Sequence, residues 1–185
     1  MKLLRAHKNI LRIRAGRSDM DRWGKDENLN PGWEDRAPYM AAFVRPGERV
    51  IDFGAGTMAL KAALPAGCIY TATDIVSRAE GMIAVDLNKL PLPPLGEHDI
   101  AVFSGVCEYL HDVPAVLAEV KPLITRLAVS YSVLENVPQL VRRRANGFAN
   151  DYTEAQFRDL LEKAGFEVLE RGQWREQVLF HCKVR

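Results

Sequence analysis

The sequence predicts a doubly wound α/β fold: a mostly parallel seven-stranded sheet that closes with a C-terminal antiparallel hairpin. Three observations carry that prediction. Five short runs rich in Val, Ile and aromatics ("ERVIDFG", "CIYTATD", "GMIAVD", "HDIAVFSG" and "TRLAVSYS") mostly end in Gly, Asp or Ser and read as strands buried on both faces. Helix-like segments separate several of them, which implies parallel strands joined by right-handed crossovers. After the fifth run, "FEVLER" and the alternating "VLFHCKV" are close enough to pair antiparallel through "GQWREQ".

Taken in order, residues 1–46 form an N-terminal region and residues 47–185 the sheet domain. The N-terminal region begins with a candidate amphipathic helix whose Leu3, Leu4, Ile10 and Leu11 can pack on the core, followed by a polar loop around "WGKDENLNPGWEDR". "TMALKAAL", closed by Pro65 and Gly67, is the first crossover helix. "IVSRAE" has room for a turn only, so one crossover helix is truncated. "VPAVLAEVKPLI" supplies the next helix. In "TEAQFRDLLEKAGFEV", Thr153 caps, Gln156 completes a capping box, Phe157, Leu160, Leu161 and Ala164 form one stripe, and Gly165 stops the helix.

At 185 residues, 48% of them hydrophobic, the chain holds one core and no comfortable room for a separate substrate domain. The net charge of +1 gives no global field for nucleic acid, and no RNA-binding module is visible. Lys2, Arg5, Lys8, Arg12, Arg14, Arg17, Arg22 and Lys25 do concentrate positive charge near the start. That excess suits an anionic polymer, a lipid surface or a partner, and equally a helix packed through its Leu and Ile side chains. Cys68, Cys107 and Cys182 form no paired motif, which argues for a reducing compartment and against a zinc site; no metal is expected. No apolar run approaches the roughly 20 residues of a membrane span, and no secretory signal is apparent, so the expected location is cytoplasmic.

The segment "VIDFGAGTMAL" fits two ligands. Gly54, Gly56 and Ala59 satisfy the G-x-G-x-x-A pattern of a dinucleotide turn, with Asp74 twenty positions after Gly54. On that basis an NAD-dependent oxidoreductase is one reading. Asp52 discriminates: at a strand end beside the loop it would repel a pyrophosphate by roughly 1 to 4 kcal/mol per charge pair at contact. Toward a ligand carrying sulfonium and ammonium charges, such as S-adenosylmethionine, the sign reverses. Asp74 ends the second strand, where it can hold ribose hydroxyls with Ile75 beside the adenine. Asp86 ends the third and can accept from the adenine amine, while the Leu87 backbone pairs with a ring nitrogen.

Together these segments resemble a class I S-adenosylmethionine-dependent methyltransferase with a Rossmann-like fold, over about residues 49–185. "VIDFGAG" is similar to that family's acid and glycine loop, "TATDI" to its ribose acid, "AVDLNKLPLP" to its adenine loop, and "EHDIAVFSGVCEYLHD" to its fourth strand and following turn. The resemblance implies S-adenosylmethionine as cofactor, held by Asp52, Gly54, Ala55, Gly56, Asp74, Ile75, Asp86 and Leu87, with Ser104 and Gly105 lining its methionine portion. Two departures stand out: Met58 replaces a third glycine, and the helix after the ribose acid is nearly absent.

The implied reaction is in-line transfer of a methyl group to a small-molecule or glycan-type acceptor. For a hydroxyl acceptor, His111 after the fourth strand is the candidate base, with Asp112 beside it and Glu108 and Tyr109 as competitors; a surface or capping histidine is the plainer reading. Acceptor choice would fall to Trp23, Trp33, Tyr39 and "ENVPQLVRRRANGFANDY", where Arg142, Arg143 and Arg144 either clamp an anion or face solvent. A non-catalytic cofactor-binding relative is the remaining reading.

Overall fold

A computed structural model describes residues 2–185. Seven strands form one sheet: β1 (Arg49–Phe53), β2 (Ile69–Asp74), β3 (Ile83–Ala84), β4 (Ile100–Ser104), β5 (Arg126–Tyr131), β6 (Phe166–Trp174) and β7 (Gln177–Val184), in the order β3-β2-β1-β4-β5-β7-β6. The first five are mutually parallel and β7 runs antiparallel to both β5 and β6. This is the predicted α/β architecture with its closing hairpin. The strands β4 and β5 at its centre are almost wholly buried, as runs of Ile, Ala, Val and Leu require when both faces are covered.

β3 departs from the expectation. It spans two residues, both exposed, at the sheet edge, because residues 75–80 make only a turn and no crossover helix covers it. Its flanking Met82 and Val85 carry the buried apolar contact instead.

Helices flank the sheet: α1 (Lys2–Arg14), α2 (Met20–Trp23), α3 (Ala37–Ala41), α4 (Ala59–Ala63), α5 (Val113–Val120), α6 (Leu140–Ala145) and α7 (Glu154–Lys163). On one face, Phe53 stacks on Phe103 at 4.6 Å and Tyr131 on Phe157 at 4.2 Å, within the larger core cluster. Thr153 and Gln156 form the expected reciprocal capping box of α7. On the other face, α3 delivers Met40 and Ala41 against Val50, Ile100 and Val102.

The N-terminal helix forms, but with a different inner face from the one its leucines suggest. Ala6 and Asn9 are buried, whereas Leu3, Leu4 and Leu11 remain 71%, 78% and 52% exposed. The Asn9 side-chain amide donates to the carbonyls of Arg144 (2.8 Å) and Ala145 (3.5 Å). Those carbonyls lie at the end of α6, where the Arg144 carbonyl also accepts from the Gly147 amide at 3.0 Å, so a polar bond sets the rotation of α1. The polar loop that follows is built from α2 and two tight helical turns at Asp26–Asn28 and Pro31–Arg36. Contacts from Arg78 to Asp26 (2.9 Å) and to the Trp23 carbonyl, Thr57 to Glu34 (3.0 Å) and Arg175 to Asp35 (2.7 Å) hold this segment over the carboxyl ends of the strands.

Candidate active site

The ends of β1, β2 and β4 open into a cavity of about 570 Å³ beneath that segment. Asp52, Gly54, Ala55, Gly56, Asp74, Ile75, Asp86, Leu87, Ser104 and Gly105 all line it, although they are scattered over more than fifty positions of sequence. His111 is not among the lining residues. Its ring is half-buried with Nε2 lacking a partner, and desolvation, helped by the charge of Arg12, lowers its proton affinity.

The glycine turn shows why its letters matter. Gly54 adopts φ +73°, and a Cβ there would lie 2.5 Å from the Val106 side chain. The amides of Gly54 and Ala55 both donate to the Thr73 carbonyl at 2.9 Å, tying the turn to β2. Met58 takes the left-handed conformation (φ 59°) that a glycine would favour, and its side chain packs with Ala55, Ala72 and Met82. The chain therefore keeps the backbone path of a third glycine without the residue.

Three carboxylates follow at successive strand ends. Asp52 is 2% exposed; its Oδ2 accepts from the Tyr70 hydroxyl at 2.7 Å, and its Oδ1 has no partner. Burial, opposed by the Tyr70 bond and reinforced by Asp74, pushes its pKa up to about 7. Asp74 accepts from the amides of Gly56 (2.8 Å) and Ile75 (2.6 Å) and pairs with Arg78 at 3.2 Å. Asp86 accepts from the Ser18 hydroxyl at 2.6 Å and the Asn88 amide at 3.1 Å.

A second buried group lies after β4. Glu108 is fully buried; its Oε1 accepts from the Ser132 amide (2.8 Å) and the Gln177 side-chain amide (2.9 Å), while Oε2 has no partner. Gln177 in turn accepts from Arg36 (2.6 Å) and the Ser130 hydroxyl (3.0 Å), and Arg36 donates to the Ser104 hydroxyl (2.6 Å) and carbonyl (2.9 Å). Arg36 and Gln177 carry no local sequence signal, since their partners are distant in the chain.

Aromatic side chains form the rest of the wall. Trp23 meets Tyr109 edge-on at 4.9 Å and Trp33 at 6.0 Å, and Tyr109 meets Phe148 at 5.5 Å. The arginine cluster divides. Arg143 is fully buried and bound to Asp151 (2.6 Å) and the Ser132 carbonyl (2.8 Å), so it neither clamps an anion nor faces solvent. Arg144 also binds Asp151, and Arg142 lines the cavity while paired with Glu176 at 2.8 Å.

A family profile described as a methyltransferase domain matches residues 26–171. The chain belongs to the methyltransferase-domain family. Comparison with curated protein sequences finds no match for this methyltransferase. Solved structures share its fold at low identity. A Burkholderia thailandensis 1,6-didemethyltoxoflavin N1-methyltransferase, bound to its acceptor and S-adenosylhomocysteine, is 17% identical with a TM-score of 0.64, over 98% of this chain and 87% of that one. A neocarzinostatin-biosynthesis O-methyltransferase in complex with S-adenosylmethionine and 2-hydroxy-5-methyl naphthoic acid is 16% identical with a TM-score of 0.69, over 100% of this chain and 68% of that one. Mitomycin 7-O-methyltransferase gives 16% identity and a TM-score of 0.67, over 98% and 68%. The family match decides between the two readings of the glycine turn, in favour of methyl transfer over hydride transfer.

Proposed function

We propose that this methyltransferase takes its methyl group from S-adenosylmethionine and delivers it to a small-molecule acceptor. The observation that carries the reading is the set Asp52, Asp74 and Asp86 around one cavity, with the Oδ1 of Asp52 buried and unpartnered. An orphaned buried carboxylate oxygen suits a cationic donor, and the cofactor's ammonium is one. Asp74, fixed by two backbone amides, would hold the ribose hydroxyls; Asp86 would accept from the adenine amine, with Ile75 and Leu87 against the ring. Gly54, Ala55 and Gly56 allow close backbone approach, and Ser104 and Gly105 would line the methionine end. A volume of about 570 Å³ falls in the range of roughly 300–1,000 Å³ usual for small-molecule sites.

Bound here, the cofactor supplies an electrophilic methyl group on a sulfonium. The protein's part is to exclude water, through the segment from Ser18 to Arg36, and to orient the acceptor for in-line attack. Residues 1–46 would thus serve as the acceptor-side wall of the domain formed by residues 47–185. A small acceptor is favoured over a polymer because this segment roofs the cavity, and the fold neighbours crystallised with acceptors hold small aromatic molecules.

Titration calorimetry with S-adenosylhomocysteine tests the cofactor assignment, and absence of heat at millimolar ligand in folded protein would sink it. Asp74→Ala should weaken binding by about 1.5 to 3 kcal/mol, the usual worth of a hydrogen bond to a charged group. Transfer of labelled methyl into a metabolite extract separates an enzyme from a relative that only binds cofactor.

A further inference from the structure

We propose that Glu108 receives the acceptor's proton, and that the acceptor is a planar aromatic or heteroaromatic molecule presenting an O–H or N–H to the Oε2 of Glu108. This rests on the methyltransferase reading above and adds to it the acceptor class and the base. Glu108 lines the cavity, is fully buried, and has a fixed orientation: the Ser132 amide and Gln177 hold Oε1, and Arg36 and Ser130 hold Gln177. Neither bond to Glu108 comes from a cationic side chain, and Oε2 receives none at all. A buried carboxylate oxygen without a donor is costly, so a donor from outside the chain stabilises this arrangement. Asp52 presents the only comparable oxygen among the described residues' carboxylates, and the cofactor accounts for it.

The competing bases fit less well. His111 stands outside the cavity lining. Tyr109 lines it, but burial pushes its hydroxyl up to a pKa of about 12, so it stays protonated at neutral pH. The acceptor class follows from the aromatic part of the cavity lining. Trp23, Trp33, Tyr109 and Phe148 line the cavity as one connected aromatic group, with the Arg22 guanidinium over the Trp23 ring at 4.3 Å, and a flat π-system can extend that stack.

The step balances. The acceptor's oxygen or nitrogen forms a bond to the methyl carbon as the carbon–sulfur bond breaks, and that electron pair stays on sulfur. The O–H or N–H proton passes to the Oε2 of Glu108. One positive charge on sulfur and one negative charge on Glu108 both vanish, leaving a methylated acceptor, a neutral thioether and a neutral carboxylic acid that returns its proton to water.

The test uses the full chain, Glu108→Gln and Glu108→Asp, with 2-naphthol and 8-hydroxyquinoline as aromatic probes and cyclohexanol as the saturated control. With labelled S-adenosylmethionine, the wild-type protein should methylate an aromatic probe and spare cyclohexanol. Glu108→Gln should lose at least about 100-fold in kcat/KM, the usual share of a general base, with Glu108→Asp in between. S-adenosylhomocysteine affinity should be the same in all three proteins. Quenching of Trp23 and Trp33 fluorescence by 2-naphthol, read without turnover, should weaken by about tenfold in Glu108→Gln. A Glu108→Gln rate within about threefold of wild type overturns the base assignment. Cyclohexanol used as well as the naphthol, or a protein that binds S-adenosylhomocysteine yet neither binds nor methylates an aromatic probe, overturns the acceptor class. Absence of S-adenosylhomocysteine binding instead strikes the underlying cofactor reading, and quenching by 2-naphthol then still decides whether Glu108 faces an aromatic ligand.

Discussion

Asp52 is held almost out of water with one carboxylate oxygen on Tyr70 and the other without a donor, and burial raises its pKa from the ordinary 3.8 to about 7. Folding therefore takes up a proton at this site. Its contribution to stability is full below about pH 4 and is lost as the pH rises through about 7, at up to about 1.4 kcal/mol per pH unit. Asp52→Asn, melted between pH 4 and 8, should show a flatter profile than the wild type; an unchanged slope would mean the carboxylate does not titrate there. A ligand with an ammonium group selects the ionised form, so S-adenosylhomocysteine affinity should climb by up to about tenfold per unit toward pH 7. Asp52, Asp74 and Asp86 were legible in the sequence because each ends a strand whose apolar run announces it. Arg36 was not: its bonds to Ser104 and Gln177 cross 68 and 141 positions, and nothing near Arg36 marks it as other than one more surface arginine.

At the scale of elements, apolar periodicity located the strands and the long helix α7, while orientation depended on polar bonds that periodicity does not encode. α1 forms where its spacing predicts, yet Asn9 turns its leucines outward by engaging the end of α6. α6 itself is pinned from inside by Arg143, whose guanidinium joins Asp151, Ser132 and Asn150. Arg143→Met would leave the Ser132 and Asn150 carbonyls without this donor and Asp151 on Arg144 alone, so it should destabilise the fold by about 1 to 3 kcal/mol. Urea unfolding reads this directly, and a midpoint equal to wild type would show that Arg144 alone satisfies Asp151. In the fraction that remains folded, S-adenosylhomocysteine affinity should be unaltered, because Arg143 lies outside the cavity lining.

For the whole molecule, the sheet order follows from rules of connection: parallel strands with crossovers place the loop ends of β1, β2 and β4 together, and a site belongs there. Acceptor selection was less legible because its wall is assembled from three distant stretches, near Trp23, Tyr109 and Phe148, that meet only in the fold. The same assembly makes the N-terminal segment part of the site. Its Ser18 hydroxyl donates to Oδ1 of Asp86 at 2.6 Å, and Asp86 is the carboxylate proposed to accept from the adenine amine. Were the adenine amine to use Oδ1, the two donors would compete and only the fraction of protein with Ser18 withdrawn would admit cofactor, whereas Oδ2, with Lys89 at 3.6 Å, is free of that competition. Apparent affinity is the intrinsic affinity scaled by that fraction. Ser18→Ala should accordingly speed S-adenosylhomocysteine association in stopped-flow measurements while leaving dissociation nearly unchanged, and equal association rates would show that Ser18 yields without cost. Competition for that oxygen would couple arrival of the cofactor to movement of the segment that lines the proposed acceptor pocket, and so would favour cofactor binding before acceptor.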